Sequence, residues 1–466
     1  MSAASPTITA AEAAAGFKLG SFTATQMVEA SLARIAEHDP SLGAFTSVTA
    51  ERARAQAAIL DARRGRGEDC GSLAGVLFAV KNLYDVAGEI TLAGSIINRD
   101  HPPANKDATL IAHLEAQGAI LMGALNMGEY AYDFTGENAH YGPSRNPHDP
   151  AHMSGGSSGG SGSAAAAGLV HLTLGSDTNG SIRVPSSFCG LFGLKPTYGR
   201  LSRAGGFPFV SSFDHLGPMC RSALDLALAY DAMQGEDPRD PMQASRPVEL
   251  ATPALGEGIK GLRIARAAGY FAQGAGAEVF DTVDMVARAL DAAHSVELPE
   301  AHRARAAAYL ITMVEGASLH INRLRTRPLD YDPDVRDRLI AGAMVPGAWV
   351  VQAQKLRRWF HDAVMKIFEE VDVIIAPATP CRAPLIGKKN MLLDGVETMI
   401  RPNLGVFTQP ISFIGLPVVC APIWSDGQRL PMGVQIITAP WREDIALRVA
   451  HDLACKGIAY APVARL

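Results

Sequence analysis

Short apolar runs closed off by glycine or proline recur along the chain, and nothing else in the sequence restricts its fold as much. LAGVLFAV, AILMGAL, IKGLRIARA, VDVIIAPA, LPVVCAPIW and PMGVQIITA are of this kind. They lack a period-two alternation, so each reads as a strand buried on both faces, which requires helices on both sides of the sheet. Segments with helical spacing lie between them. Thr23 and Gln26 form a capping pattern ahead of Met27, Val28, Leu32 and Ile35, and Asp39-Pro40 is predicted to end that helix. Further helices are predicted over Ala50–Arg64, Asp107–Gln117, Ser163–Leu169, Ala275–His294 and Val351–Glu370, with a strand at Val170–Leu174. The alternation implies an α/β fold with a mixed sheet. No polar linker divides the chain, so one large domain over 1–466 is expected. Helices over 1–65 open it, and a more helical segment from about 240 to 370 is expected to cap a site.

Composition narrows the function. The 466 residues carry 42 Lys and Arg against 47 Asp and Glu, which offers no basic field to nucleic acid or anionic lipid. A hydrophobic fraction of 48% is too high for disorder. The opening MSAASPTITAAEAAAGFKLG lacks a basic region followed by an apolar core, so no secretory signal is expected. No apolar run approaches the ~20 residues that span a bilayer. Cys70, Cys189, Cys220, Cys381, Cys420 and Cys455 are scattered and read as reduced core thiols of a cytoplasmic protein. No metal-binding spacing of histidine or cysteine is present, and neither metal nor cofactor is expected.

Glycine is over-represented, at 45 residues, and much of the excess falls within Met153–Arg200. Gly155–Gly162 alone would pass for a flexible linker, or less well for a phosphate loop, since no Gly-Lys-Ser/Thr follows. What comes next argues for a built site. An Ala-rich helix and a buried strand lead at once into a second Gly/Ser turn, Gly175–Ser181. Two such turns around one helix–strand unit bring bare backbone close to a ligand. The turns hold serines but no histidine to activate one. His171, in an apparent strand, reads as structural, and Asp177 as a turn cap. Lys81 directly follows the apolar LFAV. Burial there would favour the neutral amine, a base able to take a serine proton. Spacing alone favours a strand-end lysine with its head in water.

The stretch GGSSGGSGSAAAAGLVHLTLGSDTNGSIRVPSSFCGLFGLKPT closely resembles the amidase signature family. So do GVLFAVKNLYDVAG around Lys81, DATLIAHLEAQGAILMGALNMGEYA, SSFDHLGPMCRS, VDVIIAPATP and GLPVVCAPI with the later LPMGVQII. The resemblance runs from about residue 20 to 450. It implies a single α/β domain, a twisted mixed β-sheet core covered by helices on both sides, and cofactor-free hydrolysis of amides. It also implies a Ser–Ser–Lys triad: Ser181 as nucleophile, Ser157 as bridging serine on a cis peptide, and Lys81 as base. Thr178, Asn179, Gly180 and Ser181 match the family's oxyanion hole, with Ser158, Asp177 and Arg183 in support. One departure stands out. The family usually has two glycines before the nucleophile, whereas this chain has Asn179-Gly180. Asparagine tolerates positive φ, so the hole is expected to survive, with the side chain narrowing the pocket or touching the substrate.

Within the family, EYAYDFTGENAHYGPSRNPHDPAHMSGGSSGGSGSA is most similar to members that hydrolyse 1-carboxybiuret in cyanuric acid degradation. That implies ammonia release from a small carboxylated ureide, homodimerisation and a small accessory subunit, with no nucleic acid or membrane as partner. Two alternatives stay open: the glutaminase-type component of a tRNA-dependent amidotransferase, and an amidase for another small or aromatic amide. Tyr130, Tyr132, Asp133 and Asn138 fall in the family's substrate-side segment. A carboxylate-binding arginine is expected among Arg323, Arg325 and Arg327, which otherwise read as a solvated basic face.

Overall fold

LFAVK, Leu77–Lys81, is buried at every position and runs parallel to a strand on each side. It lies within one eleven-stranded sheet of a computed structural model that describes residues 4–466. Across the sheet the order is Phe45–Val48, Ile120–Leu125, Leu77–Lys81, Leu172–Asp177, His215–Cys220, Phe192–Lys195, Val418–Ile423, Met432–Thr438, Val373–Pro377, Ile264–Ala267 and His294–Val296. Leu77–Lys81 pairs in parallel with Ile120–Leu125 and Leu172–Asp177, and Val373–Pro377 does so with Ile264–Ala267. The centre, from Leu172–Asp177 to Val373–Pro377, is antiparallel. Mixed pairing with helices between the strands is the α/β architecture that the buried runs predict. Two small hairpins, Arg145–Asn146 with Asp149–Met153 and Asn390–Leu393 with Val396–Met399, stand outside the sheet. Among the described residues no helix is long and apolar enough to cross a membrane.

Several boundaries differ from expectation for local reasons. The helix Ala24–Leu42 passes through Pro40 and stops at Gly43 in the left-handed region, φ 62°. Its end is set by capping, because the Asp39 carboxylate accepts the N–H of Ala44 at 2.8 Å, and a proline in the last turn removes a single helical bond. The helix expected at Ser163–Leu169 begins at Gly159 and ends at Ala166, and the following strand moves to Leu172–Asp177. The residues expected to end one long helix at His294 instead open an edge strand, His294–Val296. Phe192–Lys195 and His215–Cys220 are strands that the sequence pattern hides, since glycine and proline interrupt their apolar runs.

The glycines of Gly159–Ala166 are a packing requirement. A Cβ on Gly160 would lie 2.4 Å from the Ala44 carbonyl oxygen and 2.6 Å from the Asn126 nitrogen. That helix therefore nests directly on backbone, and the turn preceding it is held at the carboxyl ends of the parallel strands, where α/β sheets bind ligands. Replacing Gly160 with alanine should lower the unfolding midpoint by the equivalent of about 1–3 kcal/mol, the usual cost of overpacking. Gly65→Ala, at a helix end with open space around it, should be neutral or stabilising by about 0.5–1 kcal/mol. Thermal melts of the two variants check the contrast, and equal behaviour would restore the linker reading.

Candidate active site

Lys81 ends its strand with the ammonium head fully enclosed, 0% exposed. Nζ donates to Ser157 Oγ at 2.6 Å and to Ser176 Oγ at 2.8 Å. Its hydrogen-bond partners are thus two hydroxyls and no carboxylate. Desolvation pulls the amine down to about 7, against a smaller upward pull from the charges of Asp214, Asp177 and Asp133. Near neutral pH a large share of this lysine is therefore uncharged.

Ser157 follows a cis peptide bond from Gly156, as the resemblance implied. The turn is tied down on every side. Gly128 N–H donates to the Ser157 carbonyl at 3.0 Å, and Gly156 N–H to the Phe134 carbonyl at 2.8 Å. Ser158 Oγ donates to the Ser176 carbonyl and accepts the Ser176 N–H, both at 3.2 Å, which staples the two glycine-rich turns together.

The second turn is organised by a buried ion pair. Arg183 donates to Asp177 through Nε at 3.0 Å and Nη2 at 2.9 Å, both side chains being fully buried. The guanidinium holds the Asp177 carboxyl well below the usual carboxylate range although burial opposes it. Arg183 Nη1 also donates to the Thr408 carbonyl at 3.1 Å and to Gln435 Oε1 at 2.8 Å, so the turn is locked to the sheet behind it. Thr178 Oγ1 donates to Asp214 at 2.6 Å, and Thr408 Oγ1 to the Asn179 carbonyl at 2.6 Å. Gly180 sits at φ 142°, and a Cβ there would meet Thr408 Oγ1 at 2.3 Å. Here glycine is obligatory. Asn179 is not among the positive-φ residues, so the expected appeal to its conformational tolerance is unnecessary. The backbone N–H groups of Asn179, Gly180 and Ser181 donate to no other group among the described residues. Three free donors in succession are what an oxyanion hole requires.

Ser181, 3% exposed, opens onto a narrow cavity. Its hydroxyl forms no hydrogen bond, to Ser157 or to any other described group. Links of this kind are often loose in unliganded sites and tighten around substrate. Two predicted contacts line the cavity. Tyr132 presents a buried hydroxyl without a partner. Asp133 accepts the Thr135 and Gly136 N–H groups and pairs with Arg401 at 2.7 Å. Tyr130 and Asn138 lie outside it. The Tyr130 hydroxyl donates to Asn98 Oδ1, and Asn138 bonds the backbone of Gly94, Met127, His140 and Tyr141.

Nor do the predicted arginines reach the cavity. Arg323 bonds His101, Arg325 is exposed, and Arg327 pairs with Asp100 and Asp330. The cationic wall is built by Arg338 and Arg401 instead. Arg401 is already paired with Asp133 and with Asp334 at 3.1 Å. Arg338 donates to the backbone carbonyls of Asp334 and Tyr132 and stacks 3.8 Å over the Tyr132 ring, with no carboxylate partner. Ser176, Asp214, Tyr309, Thr312, Arg338 and Arg401 were all missed from sequence. Ser176 and Asp214 lie within the recognised motifs. The others sit on helices whose sequences carry no signature.

A mixed sheet presenting a buried, hydroxyl-bonded lysine beside a serine turn of free N–H donors defines an amidohydrolase acting on C–N bonds other than peptide bonds. The chain belongs to the amidase family, whose model, described as Amidase, matches residues 26–447. It is 52% identical over 445 residues to AtzE, a component of the 1-carboxybiuret hydrolase of Pseudomonas sp. (strain ADP), covering 95% of this chain and 97% of that one. It is 38% identical over 471 residues to the A component of the glutamyl-tRNA(Gln) amidotransferase of Anaeromyxobacter dehalogenans (strain 2CP-C), covering 95% and 94%. Among solved structures, an inhibitor-bound vestigial protein complex of an s-triazine catabolic enzyme superposes with a TM-score of 0.96 at 50% identity, over 97% of this chain and 100% of that chain. A bacterial aryl acylamidase gives 0.87 at 26% identity, over 96% of each.

The state of Lys81 predicts a pH profile. The neutral form dominates above about 7, so kcat/KM should level off at higher pH and fall about tenfold per unit on the acid side. Asp214→Asn removes the charge that most raises the lysine, so the acid limb should move to lower pH. An acid limb unmoved by that substitution would contradict the assignment.

Proposed function

We propose that the chain hydrolyses the terminal amide of a small carboxylated ureide of the 1-carboxybiuret kind and releases ammonia. The observation that carries the substrate class is Arg338, a cation on the cavity wall with no carboxylate of its own to satisfy it. A substrate carboxylate matches that position in charge, and the hydrolase activity for which the relative AtzE is named supports the same chemistry. A glutamine substrate would add an α-ammonium. The acidic side chain on the wall, Asp133, is already engaged by Arg401, which leaves that ammonium without a partner.

In this mechanism neutral Lys81 draws a proton from Ser157 as Ser157 takes the Ser181 proton, and Ser181 Oγ attacks the amide carbonyl. The N–H groups at Thr178, Asn179, Gly180 and Ser181 receive the oxyanion. The proton returns along the relay to the departing nitrogen, ammonia leaves, and water releases the acyl group from Ser181. Residues of the 240–370 segment close the site, with Tyr309, Thr312 and Arg338 supplying one wall. Homodimerisation and a small accessory subunit belong to this proposal, supported by the structural neighbour having been solved as a protein complex. So does a cytoplasmic setting, which suits six free cysteines.

Ammonia release from 1-carboxybiuret tests the proposal. Ser181→Ala should abolish turnover, and Lys81→Ala should lose about 10²–10⁴-fold, the range for a general base. Arg338→Ala should raise KM about ten- to a hundredfold, the scale of one charged hydrogen bond, with a smaller effect on kcat. Full activity in Lys81→Ala would overturn the mechanism, and an unchanged KM in Arg338→Ala the substrate class.

A further inference from the structure

Asn179 stands two residues before Ser181 and lines the cavity, with 6% of its surface exposed. Nδ2 donates to Thr312 Oγ1 at 2.8 Å. Thr312 is 1% exposed, on the long helix Ala301–Thr326. That contact spans two distant parts of the chain and fixes the plane of the amide. The other end of the amide, Oδ1, is buried without any hydrogen-bond partner. Nothing in the backbone calls for asparagine, because the residue avoids positive φ. A buried acceptor held rigidly beside a nucleophile and left unpaired is costly unless a ligand satisfies it.

Other polar groups on the wall do not duplicate it. Gln409 Oε1 is taken by Arg305 at 2.9 Å, and Asp133 by Arg401. The unpaired Tyr132 hydroxyl both donates and accepts, so it selects neither kind of partner. Asn179 Oδ1 can only accept.

We propose that Asn179 is a specificity-determining residue whose Oδ1 accepts the N–H flanking the scissile carbonyl on its acyl side. The inference rests on the ureide reading above. A ureide carries an N–H at that position, whereas a carboxamide of the same shape carries a CH₂ that would leave Oδ1 unpaired. A site built to pair a substrate N–H rejects the analogue lacking it, since the unmatched polar group stays buried. One residue would then address both features of the substrate carbonyl. Its backbone N–H lies in the oxyanion cradle, and its side chain reads the neighbouring nitrogen.

The matched pair 3-ureidopropionate and glutaramate tests this. Both end in a carboxylate and a terminal amide, and they differ in NH against CH₂ beside the terminal amide carbonyl. The readout is the ratio of kcat/KM for ammonia release from the ureides (1-carboxybiuret and 3-ureidopropionate) to that from glutaramate. In Asn179→Gly this ratio should fall about ten- to a hundredfold, as expected for one buried hydrogen bond. Thr312→Val, which frees the asparagine without touching its loop, should lower the ratio in the same direction and decides the matter if the glycine variant does not fold. An unchanged ratio in the folded variants overturns the role of Asn179 while leaving the ureide activity intact. A wild-type enzyme that releases ammonia from glutaramate but from neither ureide overturns the substrate reading, and this inference with it.

Discussion

Enclosing an ammonium away from water is expensive unless a carboxylate meets it, and Lys81 meets two serine hydroxyls instead. That choice of partners sets the chemistry of the site. Three aspartates, Asp214, Asp177 and Asp133, raise the lysine from a distance, but desolvation dominates and leaves the amine near 7. A direct carboxylate contact would have stabilised the charged form. The strand Leu77–Lys81, buried along its whole length between parallel neighbours, exists in this sense to deliver one dry nitrogen to the end of the sheet.

The neighbouring charges are handled in the opposite way. Asp177 and Arg183 are equally buried but fully paired, and the arginine reaches on to Thr408 and Gln435. Breaking such a pair costs far more than the pair contributes, so the turn that carries Ser181 has one well-defined position. Glycine completes the arrangement. At Gly180 only a hydrogen fits against Thr408, and at Gly160 a helix rests on bare backbone. The two halves of the site follow one rule: what titrates is left without a carboxylate in contact, and what must hold still is paired or packed without slack.

Much of this was legible in the chain because the physics is local. Unbroken apolar runs announced the buried strands, and serine-bearing glycine turns around a helix–strand unit announced a site. Lys81, Ser157 and Ser181 lie within motifs long enough to be read. Strands such as His215–Cys220 were missed because their glycine and proline conceal a burial that only neighbouring strands provide. The cavity wall was illegible for a different reason. Arg338 differs from Arg323 in what lies opposite it, and that is settled by the packing of the helices Ala301–Thr326 and Pro333–Ala343 rather than by either residue's sequence context. Asn179 was visible as a departure from pattern, but its partner Thr312 lies on a distant helix and its unpaired acceptor appears only in three dimensions.

The most direct measurement is the protonation of Lys81 itself, apart from turnover. The enzyme labelled with ¹⁵N at lysine Nζ, with the Lys81 resonance assigned by its loss in Lys81→Arg, can be titrated by NMR. A titration of Lys81 centred near 7 is the predicted result. A value at or above ~10.4, that of a solvated lysine, would mean that the amine is charged at working pH and would contradict the account at its foundation.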